Sequence, residues 1–199
     1  YESEHLRQFE MSLVVSSFRH GRFLRSRSGV SKARNKGPDG CESGIGSLRR
    51  LHDYNMRNLV SIEQRLNSLL QIADARLLCE QLVIASREYQ QAYELAVKEG
   101  LDAAALERIF APQTPVPIPT FLPGPLVVAD SSSVDESVEV AFELSRYGLS
   151  RSIDVRSDRR NPIAGDVRRE IRRRRFRPEI VNGEVVASQE FVVSYSLAE

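Results

Sequence analysis

An all-helical N-terminal region followed by a small α+β domain is the fold class this 199-residue chain predicts. Three observations carry that reading. Up to about residue 110, apolar residues recur three or four apart, the period of one helix face. Residues 112–125 then hold six prolines in fourteen positions. Beyond them the apolar period falls to two, as in half-buried strands. Composition bounds the rest. Hydrophobic residues make up 41 % of the chain, enough for a real core. That excludes a fully disordered chain, a collagen and a disulfide-dense mini-protein. No run of 18 apolar residues occurs, so no transmembrane helix is expected. The net charge of +1 conceals a bias, because Lys32, Lys36 and Lys98 are the only lysines among 28 basic residues.

Residues 1–18 place Leu6, Phe9, Leu13 and Val14 on one helical stripe. Residues 20–46 contain six glycines and few apolar anchors, the composition of a flexible loop. Residues 19–50 are also strongly basic, with nine Lys/Arg against Asp39 and Glu42. A helix is expected over 47–72, with Ser47 as N-cap and Leu59, Ile62, Leu66, Leu69 and Leu70 as its stripe. A second is expected over 74–99, capped by Asp74 and stopped by Gly100, with Leu78, Leu82, Ala85, Tyr89, Ala92, Tyr93 and Ala96 inward. The short connection makes the two antiparallel neighbours. Asp102 caps a short third helix, 103–110. Periodicity and hairpin geometry together resemble one unit of a tetratricopeptide-like array. Residues 1–111 therefore form a helical module, and 112–125 a semi-rigid extended linker that reaches roughly 40 Å at about 3.1 Å per residue.

Residues 126–199 form the α+β domain, ordered ββαββ. Val138, Val140, Phe142 and Leu144 alternate with Glu139, Ala141 and Glu143. Tyr147-Gly148 turn the chain, and Ile153 and Val155 belong to a returning strand. Pro162 suits a first helical turn, and Ile163, Val167 and Ile171 lie four apart. Phe176 to Val181 is extended, and Asn182-Gly183 signals a type I′ hairpin turn. Phe191, Val193, Tyr195 and Leu197 define a last strand. One helix then packs on one face of a small antiparallel sheet.

The segment SVEVAFELSRYGLSRSIDVRSD, the helix RREIRRRRFRP, then EIVNGEVV and QEFVVSYSL together resemble the C-terminal domain of the TonB family of envelope energy transducers. Phe176, Pro178, Asn182 and Gly183 are the residues most characteristic of that resemblance, which covers residues 135–197. It implies a periplasmic protein-interaction domain whose sheet edge captures an extended segment of an outer-membrane or other envelope protein, with energy-coupled transport as the process expected from the resemblance. The physical basis is strand addition to unpaired backbone N–H and C=O groups. The matching strand is Gln189, Glu190, Phe191, Val192, Val193, Ser194, Tyr195, Ser196 and Leu197, with Val192, Ser194 and Ser196 tuning selectivity. The same edge also suits a homodimer. The alternative is a helical-repeat scaffold that binds a peptide or subunit through residues 1–111.

Other chemistry is poorly supported. The chain opens on Tyr1, so a signal peptide, an anchor or an expression boundary is expected before it; membrane contact would come only through that segment. Cys41 and Cys79 are either one disulfide of an oxidising compartment or two thiols. Cys79 lies in an apolar helical run and suits a core thiol, whereas Cys41 would be exposed unless bridged. Arg172, Arg173 and Arg175 are candidate anion contacts, although neighbouring acids make a solvated helix face the better reading. Nucleic acid is not the expected partner. His5, His20 and His52 form no metal-ligand spacing, Gly40–Ser47 lacks the P-loop lysine, and no nucleophile elbow occurs. No enzyme activity, cofactor or metal is expected.

Overall fold

The computed structural model describes residues 39–58, 60–118, 126–128, 138–156 and 164–197. The expected helix 1–18, His5, His20, Leu59, Pro162 and Ile163 lie outside them. The chain forms two compact units, Tyr1–Leu101 and Asp102–Glu199. Helices fill the N-terminal half and a small antiparallel sheet the C-terminal half, so the architecture is broadly α+β.

The first unit contains α1 (Asp39–Arg57), α2 (Ile62–Leu78) and α3 (Leu82–Lys98), with α2 packed against both others. Two expected boundaries are corrected. Helix α1 begins at Asp39, so Gly40, Gly44 and Gly46 are helical and Ser47 is a buried interior residue rather than a cap. The expected helices 47–72 and 74–99 are instead divided between Arg57 and Ile62 and between Leu78 and Leu82, with no break near 73. Asn58 turns its amide back to the Tyr54 carbonyl at 2.8 Å, and Ser61 accepts from Gln64 N–H to cap α2. Asp74 caps nothing. It is buried within α2, where its Oδ1 accepts the Tyr89 hydroxyl at 2.6 Å.

Helices α2 and α3 end in the same way. Gln81 N–H reaches Arg76 C=O at 2.9 Å and Glu80 N–H reaches Leu77 C=O at 3.1 Å. Leu101 and Gly100 repeat that pattern on Ala96 and Val97. Both are Schellman closures, which require a left-handed residue. Gly100 supplies it at φ +79, as expected, but Glu80 supplies it at φ 62. A side chain in that region is disfavoured, which is why composition does not announce the α2–α3 turn. Ala73, Ala85, Ala92 and Ala96 are fully buried, together with larger residues that include Ile45, Leu66, Ile72, Leu77 and Tyr89.

The second unit opens with α4 (Ala103–Phe110), capped by Asp102, whose carboxylate accepts from Ala105 N–H at 2.7 Å. This helix belongs with the sheet-bearing unit and not with the helical module. The proline-rich linker is corrected at its start. Ile118 N–H donates to Arg175 C=O at 2.8 Å and Arg177 N–H to Val116 C=O at 2.9 Å, with Pro117 opposite Phe176. Prolines at 115 and 117 alternate with Val116 and Ile118. Successive residues of a strand point their N–H groups to opposite sides, so the missing donors fall on the outer side and the inner side still pairs.

The remaining strands are β1 (Leu126–Val128), β2 (Val138–Leu144), β3 (Ser150–Arg156), β4 (Glu179–Val181), β5 (Glu184–Val186) and β6 (Phe191–Leu197), with α5 (Ala164–Arg173) between β3 and β4. Four of them form one antiparallel sheet in the order β1-β6-β2-β3. The expected pattern of β2 holds. Val138, Val140, Phe142 and Leu144 are buried with Val167 and Ile171 of α5, and with Phe176, Phe191, Val193 and Tyr195. Phe142 is the hub, with ring centroids 5.3 Å from Phe176 and 6.2 Å from Phe191. The β4–β5 hairpin turns at Asn182 (φ 53) and Gly183 (φ 83), as a type I′ turn requires.

Candidate functional site

The residues singled out in the sequence converge on β6 and its surroundings. Phe191, Val193 and Tyr195 point into the core, while Val192 is half exposed and Ser194 is exposed. Burial pushes the Tyr195 hydroxyl up to about 12, so it stays protonated under ordinary conditions. One side of β6 is laddered to β2 from Phe191 to Tyr195. The other side is partly taken, which corrects the expectation of a free edge strand. β1 pairs antiparallel with it, Leu126 opposite Leu197, Val127 opposite Ser196 and Val128 opposite Tyr195. Among the described residues, Phe191–Ser194 have no ladder partner on that side. Gln189 and Glu190 precede the strand and are exposed.

The family-motif residues are structural. Phe176 is fully buried and donates its N–H to Gly148 C=O at 3.0 Å. Pro178 is buried, and Asn182 and Gly183 form the hairpin turn. Of these, Phe176 packs in the core beneath β6 with Phe191, Val193 and Tyr195.

Two other backbone edges of this unit, β3 and the 115–118 segment, differ from β6. β3 is the opposite edge of the sheet, and it is bulged. Ala141 faces Asp154 and Glu143 faces Arg151, so Ser152 and Ile153 together oppose Phe142. Ser152 adopts φ 51 to make that bulge. β3 also carries Arg151, Asp154 and Arg156, and Arg156 meets Glu139 at 3.2 Å, Asp154 at 3.6 Å and Glu190 at 3.7 Å. Bulges and charges are the devices that stop a strand edge from accepting another strand. The 115–118 segment is blunted by its prolines. Blunting features of this kind are absent from the described residues of β6.

The arginines do not gather into one site. Arg172 and Arg173 are exposed at the end of α5, whereas Arg175 is half-buried and faces Leu149 in an isolated bridge. Arg169 meets Asp166 at 3.1 Å and Arg174 meets Glu170 at 3.3 Å, which spends part of the positive charge within the helix.

In the helical unit, Cys41 and Cys79 form a disulfide across 38 residues, which overturns the expectation of a core thiol at Cys79. It ties the first turn of α1 to the α2–α3 turn. Beside it, buried Arg76 meets Glu42 at 3.5 Å and donates to Gln81, and Gln81 donates to Glu42 at 2.7 Å. His52 Nδ1 lies 2.9 Å from Ser68 Oγ, and burial lowers its pKa against the opposing pull of Asp53. Among the described residues no group of three His, Cys, Asp or Glu side chains could hold a metal, and no helix is long and apolar enough to cross a membrane.

Sequence reasoning missed β1. Its signal was three consecutive aliphatic residues, Leu126-Val127-Val128, directly after the proline run. Too short to show a period, the triplet declares itself only by pairing. The chain matches no protein-family model, no curated protein and no solved structure.

Proposed function

We propose that the C-terminal unit is a protein-interaction module that takes up an extended segment of an envelope protein by strand addition along β6. The observation that carries this reading is the contrast between edges: β3 is bulged and charged, 115–118 is proline-blunted, and Phe191–Ser194 have neither protection among the described residues. An exposed Val192 on that strand adds apolar surface for an incoming side chain. The resemblance of residues 135–197 to TonB C-terminal domains supports the same role, and energy-coupled transport is the process it suggests. The Cys41–Cys79 disulfide supports an oxidising compartment such as the periplasm, because cytosolic reductants keep such pairs open.

Photo-crosslinking tests the reading on the full chain in cells. A benzophenone side chain at Val192 should give discrete adducts with an envelope protein, and the same group at Arg172 should not. Adducts at Arg172 alone would move the interaction to the arginine helix and refute strand addition.

A further inference from the structure

The two sides of β6 are not equivalent. β2 holds one throughout Phe191–Tyr195, while among the described residues the other is held by β1 from Tyr195 to Leu197. We infer that β1 is an in-cis occupant of the strand-addition site, which an incoming segment displaces in order to run along the whole of β6. The inference rests on the strand-addition reading above.

Three features point to exchange. β1 makes three residue pairs, whereas β6 presents seven residues, so a longer segment gains ladder hydrogen bonds that β1 does not make. β1 is aliphatic, Leu126 followed by the β-branched Val127 and Val128, which states the chemistry the site accepts: an extended antiparallel segment of aliphatic residues, without proline where the ladder needs a donor. A strand bonded to β1 itself would gain no ladder bond to Phe191–Ser194, so adding beyond β1 leaves unused the stretch that has no partner on that side among the described residues. Very short edge strands are one of the devices that protect a sheet until a partner arrives.

The probe is a fluorescent peptide of residues 124–130, Gly-Pro-Leu-Val-Val-Ala-Asp, which carries the occupant's own sequence. It is titrated against three forms of the full chain. The first is unaltered. The second, Val127→Pro with Val128→Pro, removes at least one ladder donor of β1 whichever of the two faces β6. The third, Val127→Cys with Ser196→Cys, joins directly opposed residues by a disulfide and locks β1 in place. The released form should bind the probe at least tenfold more tightly than the unaltered chain. The oxidised locked form should not bind it, and reduction should restore binding, with the unaltered chain reduced in parallel to account for Cys41–Cys79. Hydrogen exchange should place the bound probe on residues 191–197. Equal affinity for all three forms would overturn the exchange inference while leaving strand addition standing. No binding to a folded released form would overturn both. Dimerisation of the released form in sedimentation, with the probe excluded, would assign the edge to a second copy of the chain and overturn capture of a foreign segment.

Discussion

The two units bury polar groups to different extents. Among the described residues, the helical unit buries Ser47, Asn55, Ser68, Asp74, Arg76 and Glu88, whereas the sheet unit buries Ser145. The apolar content differs to match. The helical core combines alanines with leucines, isoleucines and Tyr89, whereas the sheet core is built from three phenylalanines, a tyrosine and branched aliphatics. Alanine contacts remove little apolar area from water, so the alanine positions of the helical core contribute less per residue than the aromatic positions of the sheet core. The helical unit compensates with specific contacts. The Tyr89–Asp74 hydrogen bond, the Arg49–Glu88 pair at 3.1 Å, the two-pronged Arg65–Glu99 pair at 2.9 Å and the disulfide all join different helices or their ends. One unit is therefore held by packing, and the other by packing together with covalent and polar staples.

The largest expected effect tests the packing half of that contrast. Phe142→Ala removes the ring that joins Phe176 and Phe191, and should destabilise the sheet unit by about 3–5 kcal/mol. Calorimetry should show that transition falling while the helical one stays in place. If both fall together, the two units do not unfold separately and the contrast fails.

Removing the disulfide probes the other half. Cys41→Ala with Cys79→Ala frees a loop of 38 residues, and a chain-entropy account puts the loss at about 4 kcal/mol. Reductant should lower the helical transition and leave the sheet unit unmoved, since both cysteines lie in the helical unit.

A smaller change of opposite sign sits at Glu80. Glycine accepts the left-handed conformation that glutamate resists, so Glu80→Gly should stabilise the helical unit by about 0.5 kcal/mol after the added freedom of the unfolded chain is subtracted. Gly100→Ala, at the equivalent closure of α3, should do the reverse, and urea titration would compare the pair.

The smallest expected effect is a dependence on pH. Burial lowers the His52 pKa in the folded helical unit, so the unfolded chain holds that proton more tightly. Stability contributed by neutral His52 is complete above the ordinary histidine value of about 6.5 and falls as pH drops through it toward the folded value. His52→Asn should flatten that slope for the helical transition alone. An unchanged slope would assign it to carboxylates instead.

Legibility in the sequence tracked how local the controlling physics was. Strand β2, the Asn182-Gly183 turn, the Asp102 cap and the Gly100 stop each depend on a few adjacent residues, and each stands where the pattern placed it. The start of α2 was legible too, because Ser61 followed by Gln64 is the signature of a capping box. Ser47 offered a competing cap, and the stripe from Leu59 to Leu70 ran across the break. Of the candidate site, β6 itself and its inward and outward faces could be read from alternation, but its neighbour could not.

What the sequence determined by itself is the helical character of the N-terminal half, the change of period after the prolines, and the core-facing residues Val138, Val140, Phe142 and Leu144 of β2 and Phe191, Val193 and Tyr195 of β6. Those follow from backbone dihedrals and from the spacing of apolar side chains. Only the tertiary structure decided that Cys41 meets Cys79, that Asp74 serves Tyr89 instead of a helix end, that the prolines dock against Phe176, and that Leu126–Val128 lie on β6. Each of these joins residues far apart in the chain. Their partners are chosen by which surfaces and backbone edges are left when the local elements have formed, and no local pattern encodes that remainder.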